Sequence, residues 1–107
     1  MPRTIYNKLV RDRIPEYIRS KGSVAVAHVL PPGERLAALV KKVGEEAEEL
    51  QQAPAEKVPE ELADLLEILQ AIAAHSGIPW DDVLQRQEAK RGERGGFTEG
   101  VFLEYTE

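Results

Sequence analysis

The chain contains no cysteine. That absence excludes disulfides, thiolate metal sites and a cysteine nucleophile. Aromatic residues make up only 6% of the 107 residues, so Leu, Ile, Val and Ala must carry the packing. No apolar run is long enough for a transmembrane helix and none reads as a signal peptide, so a cytoplasmic protein with no membrane partner is the expectation. Positive charge is outweighed, with 14 Lys and Arg against 19 Asp and Glu and a formal net charge of −5. This balance argues against a nucleic-acid polymer as partner. It leaves room for a phosphorylated small molecule held by a metal ion and a local cluster of Lys and Arg.

What is present fits one small domain over residues 1–107, with 42% hydrophobic and 31% charged residues. A domain of this size built from amphipathic helices often completes its core by oligomerising. The first 13 residues are basic for so acidic a chain, with Arg3, Lys8, Arg11 and Arg13. A short helix follows from Ile14 to Lys21, with Pro15 suited to its first turn, Asp12 able to cap it and Gly22 to stop it. Residues 23–30 are rich in Val and Ala and alternate weakly, which reads as a strand; residues 100–105 are its natural partner. His28 in that run reads as structural rather than catalytic.

Pro31-Pro32-Gly33 breaks the chain before a long helix over residues 34–52. A second long helix runs from Pro59 to His75, and the connection between them is short enough to demand antiparallel neighbours. Gly77 reads as a left-handed cap, with His75 favourably placed against the dipole. A last helix spans residues 79–91, where Trp80 has a mainly packing role. The basic, Gly-rich stretch from Lys90 to Phe97 follows as a turn; its glycines expose N–H groups and its cations can neutralise phosphate. The fold class is thus mainly α, an antiparallel helix bundle with a small two-stranded β element from 23–30 and 100–105.

The chain is organised around two acidic clusters on the successive long helices. Glu45, Glu46 and Glu49 form E-E-x-x-E, and Glu61 with Asp64 forms E-x-x-D. Residues three apart project from neighbouring positions on one helical face, so Glu46 with Glu49 and Glu61 with Asp64 are each a two-carboxylate claw. At about 100° per residue, Leu36, Leu39, Val40, Val43, Ala47 and Leu50 make one apolar stripe, and Glu46 lies at its edge. On the second helix Glu61 falls within the arc of Leu62, Leu65, Leu66, Ile68, Leu69 and Ile72, and Asp64 lies just beyond it. Glu48, Glu60 and Glu67 point elsewhere, as ordinary surface charges. Converging carboxylates raise one another's pKa, and a hard cation with oxygen ligands, Mg²⁺ or Mn²⁺, relieves that conflict. The competing reading is two solvated, Glu-rich helix faces.

In combination these motifs resemble the MazG-like superfamily of all-α nucleoside triphosphate pyrophosphohydrolases. The residues that carry the likeness are Glu45-Glu46-Ala47-Glu48-Glu49 and Glu61-Leu62-Ala63-Asp64. The opening run from Tyr6 to Glu16 and the closing Arg94-Gly95-Gly96-Phe97 look like its phosphoribosyl-ATP pyrophosphohydrolase-like branch. The resemblance implies Mg²⁺-dependent hydrolysis of a nucleotide between its α- and β-phosphates, as in house-cleaning enzymes, giving a monophosphate and pyrophosphate. It further implies Glu46, Glu49, Glu61 and Asp64 as metal ligands, Glu45 as a catalytic residue orienting water or holding an extra metal, and a homodimer or homotetramer. Lys8, Arg11, Lys90 and Arg94 are the candidates for holding the phosphates, with pairing to surface acids as the alternative for Lys8 and Arg11. Two other readings stand beside this one. The substrate is phosphoribosyl-ATP of histidine biosynthesis, or the chain is a non-catalytic helical association module whose acids pair with Lys41 and Lys42.

Overall fold

In the computed structural model, residues 2–107 are described. Four helices follow one another: α1 (Ile14–Ser20), α2 (Pro32–Gln52), α3 (Val58–His75) and α4 (Trp80–Arg94). A single 3₁₀ turn, Ala55–Lys57, links α2 to α3. Its brevity folds the two long helices into an antiparallel pair that packs along its length.

The helix ends follow local chemistry. Pro15, Pro32 and Pro59 each lie in a first turn, where a missing N–H removes no helical bond. Pro32 therefore starts α2 two residues earlier than the break in the sequence predicts. Asp12 does not cap α1; Arg13 is the cap residue and makes no side-chain cap bond, while the Ile14 N–H donates to the Arg11 carbonyl at 3.1 Å. Gly77, at φ 70°, takes the left-handed conformation expected of it, and the Ile78 N–H donates back to the Ala73 carbonyl at 2.8 Å. The expected turn beginning at Lys90 is instead helical. α4 continues to Arg94, and the stop is Gly95 at φ 82°.

The two-stranded β element expected from residues 23–30 and 100–105 is not formed. Both segments lack regular secondary structure and form no ladder among the described residues. Two strands alone are marginal unless a helix covers one face, and no helix does: Val26 is 94% and Phe102 88% exposed. Residues 23–30 are held only at points, where the Arg19 guanidinium donates to the Ala25 carbonyl at 2.8 Å and Arg35 Nε to the Leu30 carbonyl at 2.9 Å.

The core lies between α2 and α3. Among the described residues, only Ile68 and Ala73 are buried apolar side chains, with Leu39, Val43, Leu50, Leu65 and Ile72 half-buried around them. The other half of each apolar stripe, Leu36 and Val40 on α2 with Leu62, Leu66 and Leu69 on α3, faces outward. The chain is elongated at 60 × 34 × 27 Å, and its radius of gyration of 18.1 Å compares with about 13 Å for a globular chain of this length.

Candidate metal centre

The α2–α3 hairpin sets the second half of α2 beside the first turns of α3. Glu46 comes from α2, Glu61 and Asp64 from α3, and one carboxylate oxygen of each lies within 4.8 Å of the others. Glu46 is only 7% exposed, the one buried charged residue among those described. Its position at the edge of the apolar stripe puts it inside the helix pair rather than on its rim.

Burial pushes the Glu46 carboxyl above the ordinary carboxylate range. Glu49, one turn further along α2, adds to the rise by hydrogen bonding and by charge, and Asp64 adds to it by charge. The Lys42 ammonium opposes them. Oε2 of Glu46 and Oε2 of Glu61 are both buried without a hydrogen-bond partner. Buried polar atoms are ordinarily satisfied, and two orphaned carboxylate oxygens in one cluster are costly unless a cation meets them. Three hard oxygen donors suit Mg²⁺ or Mn²⁺, so these residues fit such an ion.

The other anticipated residues divide into two groups. Glu45, half-buried, and Glu49, exposed, line a shallow depression with Lys8, Glu48 and Gln52 beside the cluster. Lys8 reaches it from the segment preceding α1, with its ammonium also 5.7 Å from the centre of the Tyr6 ring. Arg11 comes to the cluster itself, bonding to Asp64 at 2.8 Å and approaching Glu67 at 3.9 Å. Lys90 and Arg94 do not join them. Both are exposed on α4, which touches α3 but not α2, and neither makes an ion pair among the described residues.

Lys42, which the sequence offered only as an ion-pair partner in the non-catalytic reading, is the residue beside the cluster that the enzyme reading did not include. Its ammonium lies 3.6 Å from Glu46 and 3.9 Å from Glu45, and its side chain is only 14% exposed. Its i,i+3 and i,i+4 spacing to those acids was the available signal.

Comparison with known proteins decides the family. A model of the phosphoribosyl-ATP pyrophosphohydrolase family matches residues 30–91, more than half of the chain and the whole of α2 and α3. The chain belongs to the phosphoribosyl-ATP pyrophosphohydrolase family. This is a branch of the MazG-like all-α nucleotide pyrophosphohydrolases, so the acidic hairpin is the matched part of a phosphoribosyl-ATP pyrophosphohydrolase-type domain. No curated protein and no solved structure matches the chain. Among the described residues no helix is long and apolar enough to cross a membrane.

Proposed function

We propose that this protein hydrolyses a nucleoside triphosphate or modified nucleotide between its α- and β-phosphates, using a divalent cation and releasing pyrophosphate. The observation that carries this reading is the buried Glu46 carboxyl with an unpartnered oxygen, set beside Glu61 and Asp64, in a family of pyrophosphohydrolases. Glu46, Glu61 and Asp64, with Glu49 adjoining, hold Mg²⁺. When bound, the ion supplies a water of lowered pKa and neutralises charge on the phosphates.

The remaining roles fall to this chain's own side chains. Glu45, fixed by Lys42, orients the attacking water from the depression it shares with Lys8. Lys42 keeps Glu46 ionised and able to accept a cation. Lys8 and Arg11 lie beside the cluster and bind phosphate oxygens. Arg11 meanwhile occupies Asp64, so it exchanges that carboxylate for a phosphate when substrate arrives. Lys90 and Arg94 are further phosphate ligands.

A panel of standard and modified nucleotides together with phosphoribosyl-ATP, scored for pyrophosphate release with and without Mg²⁺, tests the reading. Absence of metal-dependent release from every member refutes it. The second reading, phosphoribosyl-ATP as substrate, is favoured by the description of the matching family and is separated by the same panel. The protein acts as a homodimer or homotetramer, a reading supported by the outward-facing apolar half of the α2–α3 pair.

A further inference from the structure

Two stretches of β-forming sequence find no partner within the chain. Residues 23–30 alternate Val with smaller side chains, and residues 100–105 read Gly-Val-Phe-Leu-Glu-Tyr. Val24, Val26, Val101, Phe102, Leu103 and Tyr105 are each at least 74% exposed. In an extended strand successive residues turn their N–H and C=O groups to opposite edges. On one edge of residues 23–30 the Arg19 guanidinium already bonds the Ala25 carbonyl at 2.8 Å. On the other, the backbone groups of Val24, Val26 and His28 have no partner among the described residues. The backbone of residues 101–105 is equally unpaired.

We propose that residues 100–105 of one copy pair, antiparallel, with the open edge of residues 23–30 of a second copy, the two copies exchanging these strands across a two-fold axis. The exchange uses no residue of the acidic cluster and does not depend on what the protein hydrolyses. An unpaired row of N–H and C=O groups is a template for another strand, and this chain supplies one of opposite charge. Arg19 and Lys21 precede the first run and Arg35 follows it, whereas after Arg94 the tail carries Glu99, Glu104 and Glu107 and no cation. Matching the apolar faces sets Val24 opposite Tyr105, Val26 opposite Leu103 and His28 opposite Val101.

Coverage decides between one copy and two. A ladder closed within one chain is a lone two-stranded pair, bare on both faces and marginal. Two exchanged ladders stack face to face and cover each other's Val26, Leu103 and Tyr105. Once the first ladder has formed, the second closes at a high effective concentration. The chain exposes 9792 Å², whereas a compact monomer of 11.9 kDa exposes about 6,000 Å². That excess is well beyond the roughly 800 Å² per partner of a standard interface.

A chain without cysteine makes a clean background for cross-linking. Val26→Cys and Leu103→Cys are placed in separately tagged chains, co-expressed and oxidised. An interchain disulfide joining the two tags is expected, and Glu60→Cys in place of Val26→Cys gives none. If Val26→Cys links to none of Leu103→Cys, Val101→Cys and Tyr105→Cys in the other chain, the proposal fails. It fails equally if a chain carrying both Val26→Cys and Leu103→Cys closes its disulfide only within itself. Proline reads the edge. Val26→Pro removes an N–H from the open edge and weakens self-association at least about tenfold in sedimentation, with helical circular dichroism unchanged, whereas Ala27→Pro, on the shielded edge, weakens it less than about twofold. Equal losses from the two prolines, or a wild-type chain that sediments as a monomer, overturn the exchange.

Discussion

The guanidinium of Arg11 donates a 2.8 Å hydrogen bond to Oδ1 of Asp64, joining residues 53 positions apart and pinning the segment before α1 across the acidic hairpin. Both side chains are about half exposed, so the pair contributes at most about 1 kcal/mol to stability. Its consequence is competitive, because a metal ion and a guanidinium draw on the same carboxylate. Arg11→Ala should tighten binding of Mn²⁺ alone by up to about fivefold. It should also raise the KM for nucleotide by at least about tenfold. Titration calorimetry with Mn²⁺ reads the first effect, and weaker metal binding in the variant would show that Arg11 is not a competitor.

The carboxylates should separate from the bystanders by metal chemistry. Glu46→Ala or Asp64→Ala is expected to reduce Mg²⁺-dependent pyrophosphate release by more than about 1000-fold, since the ion supplies several kcal/mol of charge stabilisation. Glu61→Ala should remove stoichiometric Mn²⁺ binding. Glu60→Ala, exposed and paired to Lys57 at 3.7 Å, should change neither quantity. Full turnover in the Glu46 or Asp64 variant refutes the assignment.

Glu46 gives the protein a pH signature. Its carboxyl is raised by burial first and by Glu49 next, so the folded chain binds that proton more tightly than the unfolded chain. Stability is therefore lost as pH rises from the ordinary glutamate range through the raised value, and the cost is fully present above it. In EDTA at pH 7, Glu46→Gln should raise Tm, and the gain should vanish as pH falls below the ordinary glutamate range. Added Mg²⁺ should reverse the order by stabilising only the wild type through mass action. A lower Tm for the Gln variant in EDTA at pH 7 contradicts this account.

Lys42 should behave as the partner of Glu46 rather than as a surface lysine. Lys42→Met leaves a buried carboxyl without its nearest cation and should destabilise the chelated protein by about 1–3 kcal/mol at pH 7. Combining it with Glu46→Gln should recover most of that loss. Lys41→Met, exposed one position earlier, is the control and should be near neutral. If the effects of Lys42→Met and Glu46→Gln on the chelated protein simply add, the two groups are not coupled.

The helices and their acidic spacing were legible because they are local. A 3.6-residue period fixes which side chains share a face, so the apolar stripes and the proximity of Glu61 to Asp64 follow from the order of residues. The Gly77 stop is equally local, since glycine takes positive φ at little cost. The β element failed for the opposite reason. Alternating Val in residues 23–30 records a β preference, but a strand needs a partner ladder and a covered face, and neither meets Val24, Val26 or Val29 among the described residues. α4 runs through Gly92 to Arg94, past the end expected at residue 91, because a single helical Gly costs only about 1 kcal/mol and the flanking residues are good helix formers.

By itself the sequence determined a helical hairpin carrying E-E-x-x-E and E-x-x-D on its facing sides, because backbone geometry converts spacing into direction. Only the tertiary structure decided that Glu46 is buried while Glu49, three residues away, stays exposed, and that Lys42 and Arg11 are the cations beside them. It also decided that Lys90 and Arg94 stand clear of the acidic cluster. Burial and ion pairing depend on what a neighbouring element brings within a few ångströms, and no period along one helix specifies that.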